Sequence, residues 1–205
     1  MTLRPSEKSG RRRPAVLRPY LSAVTRVLAV PALLVLWSCV TSGLPPFSPP
    51  PGAARLDQVP FFPQLDYQCG PAALAEVLNY YGKSVTPEEV AGAIFRPKIR
   101  GTVTLDMVLY AREQGLSARW FNGSVADIVR AIDDGVPLIV MVDFGFARIS
   151  KNHFMVVLGY GPDGIVVNSG ASRETLIVWK EFLPDWERAT RWTLRIEPKE
   201  PGKSG

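Results

Sequence analysis

The chain has 205 residues, 46% of them hydrophobic, which suits one domain of ordinary size with flanking segments and excludes a disordered chain. Its net charge of +5 is concentrated in the first 26 residues, which carry seven basic side chains and one acid; the remainder holds 17 basic and 18 acidic residues. A domain without a basic patch lacks the electrostatic footprint that nucleic-acid binding requires.

The basic stretch ends at Arg26, and the apolar run Val27–Trp37 follows. Its eleven residues fit the apolar core of a signal peptide and fall short of the ~20 needed to cross a bilayer. Leu36-Trp37-Ser38-Cys39 then resembles the lipobox of bacterial lipoproteins. That resemblance implies a diacylated Cys39 as the new N-terminus, and more than one acyl chain anchors stably. Val40, where an Asp would retain the protein at the inner membrane, implies sorting to the outer membrane, facing the periplasm. Ser42–Gly52, SGLPPFSPPPG, is a stiff proline-rich spacer. The expected organisation is a signal peptide at 1–38, a lipidated cysteine and tether at 39–56, one domain at 57–197 and a polar tail at 198–205.

Acylation of Cys39 leaves Cys69 without a partner in a compartment that favours disulfides. A lone exported thiol is either buried as a small hydrophobe or used as a nucleophile. Its surroundings favour use. From Pro71 onward Leu74, Val77, Leu78 and Tyr81 form one helical stripe, and Gly82 is a natural helix stop. Cys69 therefore falls at a helix N-terminus, where unsatisfied N–H groups favour thiolate.

Three short amphipathic helices are predicted next, at Pro87–Ile94, Thr104–Gln114 and Ser124–Asp134, with Thr86 capping the first. Beyond Val136 the pattern turns β-rich, with strands at 137–143, 153–160, 164–168, 175–179 and 191–196. Lys180–Trp186 reads as aromatic packing beneath the sheet. The fold class is therefore α+β, N-terminal helices packed on a C-terminal antiparallel sheet.

His153, the sole histidine, opens an apolar strand, and Gly161-Pro162-Asp163-Gly164 turns the chain into a partner strand ending at Asn168. The hairpin brings Asn168 back near His153. A thiolate needs a base and the base needs an orienting group. Asn168 is the favoured orienter and Asp143 the alternative. One histidine and no ligand spacing argue against a metal site, and no glycine-rich loop suggests a nucleotide; no cofactor is expected.

Gln64-xxxx-Cys69-Gly-Pro-Ala-Ala-Leu, His153-Phe-Met-Val-Val-Leu-Gly-Tyr and Val-Val-Asn168 together resemble the papain-like bacteriocin-processing peptidase family, in particular its stand-alone exported members. The resemblance covers about Val59–Trp192 and implies a papain-like fold, with Cys69 as nucleophile, His153 as base, Asn168 as orienter and Gln64, rather than its rival Gln68, in the oxyanion hole. Many members carry Asp where this chain has Asn168. Well-known members are fused to an export ATPase and cut after Gly-Gly; no ATPase segment is seen here, so that specificity is not carried over. The expected function is a cysteine peptidase or amide hydrolase acting on peptides or proteins in the cell envelope, membrane-bound through its lipid and monomeric. The alternatives are a catalytically silent peptide-binding module on the same fold, or a thioester-based acyl or peptidyl transferase.

Overall fold

The apolar run that begins at His153 becomes the central strand of an antiparallel sheet. The computed structural model describes residues 47–64, 68–145 and 149–199. The expected signal peptide, Cys39 and the tether up to residue 46 lie outside them, as do residues 200–205. In chain order the elements are β1 (Ala54–Arg55), α1 (Cys69–Tyr80), α2 (Pro87–Ile94), β2 (Phe95–Arg96), β3 (Gly101–Thr102), α3 (Thr104–Glu113), β4 (Leu116–Asn122), α4 (Val125–Asp133), β5 (Leu138–Asp143), β6 (Asn152–Tyr160), β7 (Gly164–Ser169), β8 (Ser172–Val178), α5 (Trp179–Arg188) and β9 (Trp192–Pro198).

The strand order is β4-β9-β5-β6-β7-β8, with β1 also paired to β6, and β2 and β3 form a separate small ribbon. Alternation along β6 divides the core in two. Phe154, Val156 and Leu158 face α1, α2 and α3, while Met155 and Val157 face α4 and α5. The α+β class holds, with one refinement: α4 leaves the other early helices and joins α5 on the opposite face.

Local signals explain most of these elements. Thr86 and Ser124 each close a capping box, with Glu89 and Asp127 respectively, worth about 1 kcal/mol for the cap alone. Several features differ from the sequence expectation, the small β2–β3 ribbon among them. The helix bearing Cys69 begins at Cys69 itself and not at Pro71. The segment expected as aromatic packing is the helix α5, despite Pro184 inside it, and it buries Trp179, Phe182 and Trp186. Strand β4 was not expected, and β1 carries the folded domain back into the expected tether.

The β6–β7 hairpin contains an irregularity that decides the site. Gly159 pairs with Val166 and Tyr160 with Ile165, but Val157 pairs with Val167 and Val156 with Asn168. One extra residue, Leu158, is taken up on β6, so every β7 side chain beyond the bulge changes its partner face. Strand β1 fits this shape closely. A Cβ on Gly159 would stand 2.8 Å from the Ala54 carbonyl oxygen, and Leu56 N–H donates to the Leu158 carbonyl at 2.8 Å.

The bulge turns Asn168 toward α1, where it meets Glu76. Both are fully buried. Asn168 Nδ2 donates to Glu76 Oε2 at 3.0 Å, and Phe62 N–H donates to Glu76 Oε1 at 3.1 Å. Burial nevertheless holds the Glu76 carboxyl up at about 7, against an ordinary 4.5, because its two hydrogen bonds recover only part of the lost hydration. The folded chain thus binds this proton more tightly than the unfolded chain. The stabilising effect is full below 4.5 and is lost as pH rises through about 7. Ionisation of the buried group costs about 3 kcal/mol. Denaturant midpoints should therefore fall between about pH 5 and about pH 8, and Glu76→Gln should flatten that slope. An unchanged slope in the variant would show that Glu76 is not its source.

Candidate active site

Cys69 is the first residue of α1, and its N-cap, Gln68, makes no side-chain capping bond. The first-turn N–H groups are therefore not taken by a side-chain cap. The backbone N–H groups of Phe154, Gly70 and Cys69 itself favour a negative sulfur, but burial outweighs them and pushes the thiol above its ordinary value of 9.0. The contact with Phe154 matters for position: it sets the sulfur beside the backbone of the residue that follows His153.

His153 stands half-buried near the start of β6. Its Nε2 lies 2.9 Å from the Ser169 hydroxyl, and its ring stacks on Phe144 at 5.6 Å and 29°. Burial first, and the charge of Lys151 second, hold its pKa below the usual 6.5. When Nε2–H donates to Ser169, Nδ1 becomes the basic nitrogen that can take a thiol proton.

The structure corrects the sequence-based choice of orienter. Asn168 Nδ2 serves Glu76 and the Pro60 carbonyl, and its Oδ1 accepts the Glu174 N–H at 3.0 Å. The physical reason is the bulge. In an unbroken ladder Asn168 would oppose Val157 and share the face of His153; with Leu158 inserted it opposes Val156 on the other face. Ser169, one residue on, takes the place beside the imidazole. Asp143, the alternative, is also engaged elsewhere. Its Oδ1 accepts the Gly145 and Lys151 N–H groups at 2.7 Å each, closing the loop between β5 and β6. Those backbone donors, that of Lys151 foremost, hold its carboxyl below the usual range.

Gln64 is tied to the turn after β7. Its N–H donates to the Gly170 carbonyl at 2.9 Å, which seats it next to Ser169 in the chain. Its side-chain Nε2 and Oε1 are both buried, and neither has a partner among the described residues. An unsatisfied buried amide costs about 1–3 kcal/mol, and such a donor is ready for a ligand oxygen. Thr102 is a further neighbour that sequence reasoning missed. A Cβ on Gly70 would stand 2.9 Å from its Oγ1, so only glycine lets the β2–β3 ribbon close on the turn that carries Cys69. Among the described residues no three His, Cys, Asp or Glu side chains gather as a metal site.

Cys69 opens α1, His153 stands near the start of β6 and Gln64 lies on the segment tied to the turn after β7, and the sequence carrying all three, residues 56–193, matches the Peptidase_C39 like family. The chain belongs to that family. Among solved structures, the peptidase domain of Streptococcus ComA is 25% identical with a TM-score of 0.58, covering 69% of this chain and 99% of its own. A double glycine motif protease from an AMS/PCAT transporter, solved with a leader peptide, is 26% identical with a TM-score of 0.56, covering 71% and 99%. A C39-like peptidase from Bacillus anthracis shares the fold at 16% identity and a TM-score of 0.61, covering 72% and 98%. No curated protein sequence matches.

Within a C39-like chain, a hydroxyl against the histidine is a weak orienter. It sets the tautomer but supplies no negative charge to an imidazolium. Two carboxylate substitutions should separate the structural placement from the sequence-based one. Ser169→Asp should stabilise charged His153 and raise the rate of Cys69 alkylation at pH 7 by about tenfold or more. Asn168→Asp should not, because it sets a second carboxylate against Glu76; it should lower the melting temperature instead. The reverse pattern in iodoacetamide kinetics would restore Asn168 as orienter.

Proposed function

We propose that this chain is a cysteine peptidase of the bacterial cell envelope, anchored through a lipidated Cys39. Cys69 attacks the scissile carbonyl, and His153 takes the thiol proton and returns it to the leaving amine. Ser169 holds the imidazole, while the Gln64 amide and the Cys69 N–H receive the oxyanion. The observation that carries this reading is a thiol ringed by backbone N–H groups in a chain whose Gln64 amide is buried without a partner among the described residues, since both groups of donors can receive negative charge. A peptide is the favoured substrate because the double glycine motif protease was solved with its leader peptide.

General-base action suits the electrostatics better than a preformed ion pair. The thiol is raised and the imidazole lowered, so both groups are neutral near pH 7. The proton then moves to His153 during attack. The second reading, a peptide-binding module without turnover, is favoured by one feature: Ser169 brings no charge to His153.

Incubation of the full-length chain with peptide mixtures at neutral pH, followed by mass spectrometry, should give new termini. Cys69→Ala should abolish cleavage, and His153→Ala should slow it about 10²–10⁴-fold. Peptides that bind wild type and Cys69→Ala equally and emerge uncut would establish the binding module.

A further inference from the structure

A buried acid–amide pair stands behind the site and touches none of the reacting atoms. Glu76 Oε1 accepts the Phe62 N–H at 3.1 Å, and its Oε2 accepts from Asn168 Nδ2 at 3.0 Å. The same Nδ2 reaches the Pro60 carbonyl at 3.3 Å. Both side chains thus grip alternate residues of the strap that runs from Val59 to Gln64. Asn168 Oδ1 also accepts the Glu174 N–H at 3.0 Å, which ties β7 to β8 beyond the turn between them. The Gly170 carbonyl, within that turn, takes the Gln64 N–H at 2.9 Å.

We propose that Glu76 and Asn168 are positioning residues for the oxyanion-binding Gln64: from α1 and β7 they fix the strap that carries Gln64, and Asn168 also braces the strand that follows the turn seating it. This rests on the reading of Gln64 given above and names what holds it in register with Cys69.

The geometry leaves few other anchors. The strap has no helix or strand of its own between Leu56 and Gln64. Val59 is its one fully buried residue, and Phe62 packs half-buried against the same core. A carboxylate is the natural clamp because both neighbours offer N–H groups, and its two oxygens accept from each. An amide at position 76 would turn an NH₂ group toward one of those donors and break one of the two bonds. The cost of burying the carboxyl is therefore borne where the strap must be held.

The test uses two reagents on the purified full-length chain. p-Nitrophenyl acetate acylates through a tetrahedral oxyanion: the Cys69 sulfur bonds to the carbonyl carbon, His153 takes the thiol proton, and the C–O bond breaks to release p-nitrophenolate. Iodoacetamide alkylates the same sulfur by displacing iodide, with no oxyanion. Gln64→Ala should slow acylation by about 10²-fold or more, and Glu76→Gln and Asn168→Ala by about tenfold or more, since displacement of a catalytic group by an ångström is worth that much. Alkylation rates should change less than about twofold in each, as sulfur displacement does not use the oxyanion donors. The double variant Gln64→Ala/Glu76→Gln should acylate no more slowly than Gln64→Ala, because the two act through one group.

The outcomes separate. If Gln64→Ala slows acylation and Glu76→Gln and Asn168→Ala do not, the positioning role falls and the oxyanion reading stands. If Gln64→Ala has no effect, both fall. A parallel loss of alkylation and acylation in Glu76→Gln and Asn168→Ala, or an additive double variant, would mark a merely structural pair.

Discussion

The close approach of β1 to β6 is the constraint on which the site depends. Ala54 and Arg55 pair with Tyr160 and Gly159, and the Leu56 N–H takes the Leu158 carbonyl. A side chain at 159 would strike the Ala54 carbonyl. This arrangement accommodates the bulge at Leu158, and the bulge sets the face of every β7 residue beyond it. Asn168 is thereby aimed at Glu76 and Ser169 at His153. A single inserted residue in β6 thus assigns one neighbour to the buried carboxyl and the next to the imidazole.

That assignment carries an electrostatic consequence. A thiol at a helix start usually gains acidity from the backbone N–H groups around it. Here those groups are present, but desolvation outweighs them. His153 is lowered by burial and by Lys151, and its hydrogen-bond partner brings no opposing charge. The two shifts run in the same direction, away from an ion pair. Proton transfer during attack then has to compensate, and the oxyanion donors matter more. In the proposed reaction that task falls to the Gln64 amide, which is buried and without a partner among the described residues.

Cys69, His153 and Gln64 were legible in the sequence because each carries a local signal. Glycine and proline beside Cys69 mark a helix start, an apolar β run follows His153, and Gln64 stands at the spacing of the family motif. The orienter was not legible, since counting along a regular hairpin puts Asn168 on the face of His153 and nothing local announces the bulge. Ser169 differs from Asn168 by one position and by a whole face of the sheet. Strand β4 escaped notice for a related reason: only Leu116 and Ala118 of its seven residues are buried, and its far end, at Trp120, is exposed. Helix α5 was hidden by Pro184, which sits in its second turn and forgoes one intrahelical hydrogen bond, a cost set against the burial of Trp179, Phe182 and Trp186.

The same bulge explains why a costly group is kept in the core. A carboxyl held near neutrality in its pKa destabilises the domain at any pH that ionises it. An apolar residue at 76 would remove that cost but leave the Phe62 N–H without its side-chain acceptor and the Asn168 amide with only the Pro60 carbonyl, and unpaired buried donors cost a comparable amount. Once Asn168 faces inward, an acceptor on α1 is the simplest way to satisfy it, and a two-oxygen acceptor can hold the strap as well. Glu76 follows from Asn168, Asn168 from the bulge, and the bulge from the fit between β1 and Gly159. The residue that sequence reasoning placed against the histidine therefore serves Gln64, the other half of the site, from behind the sheet.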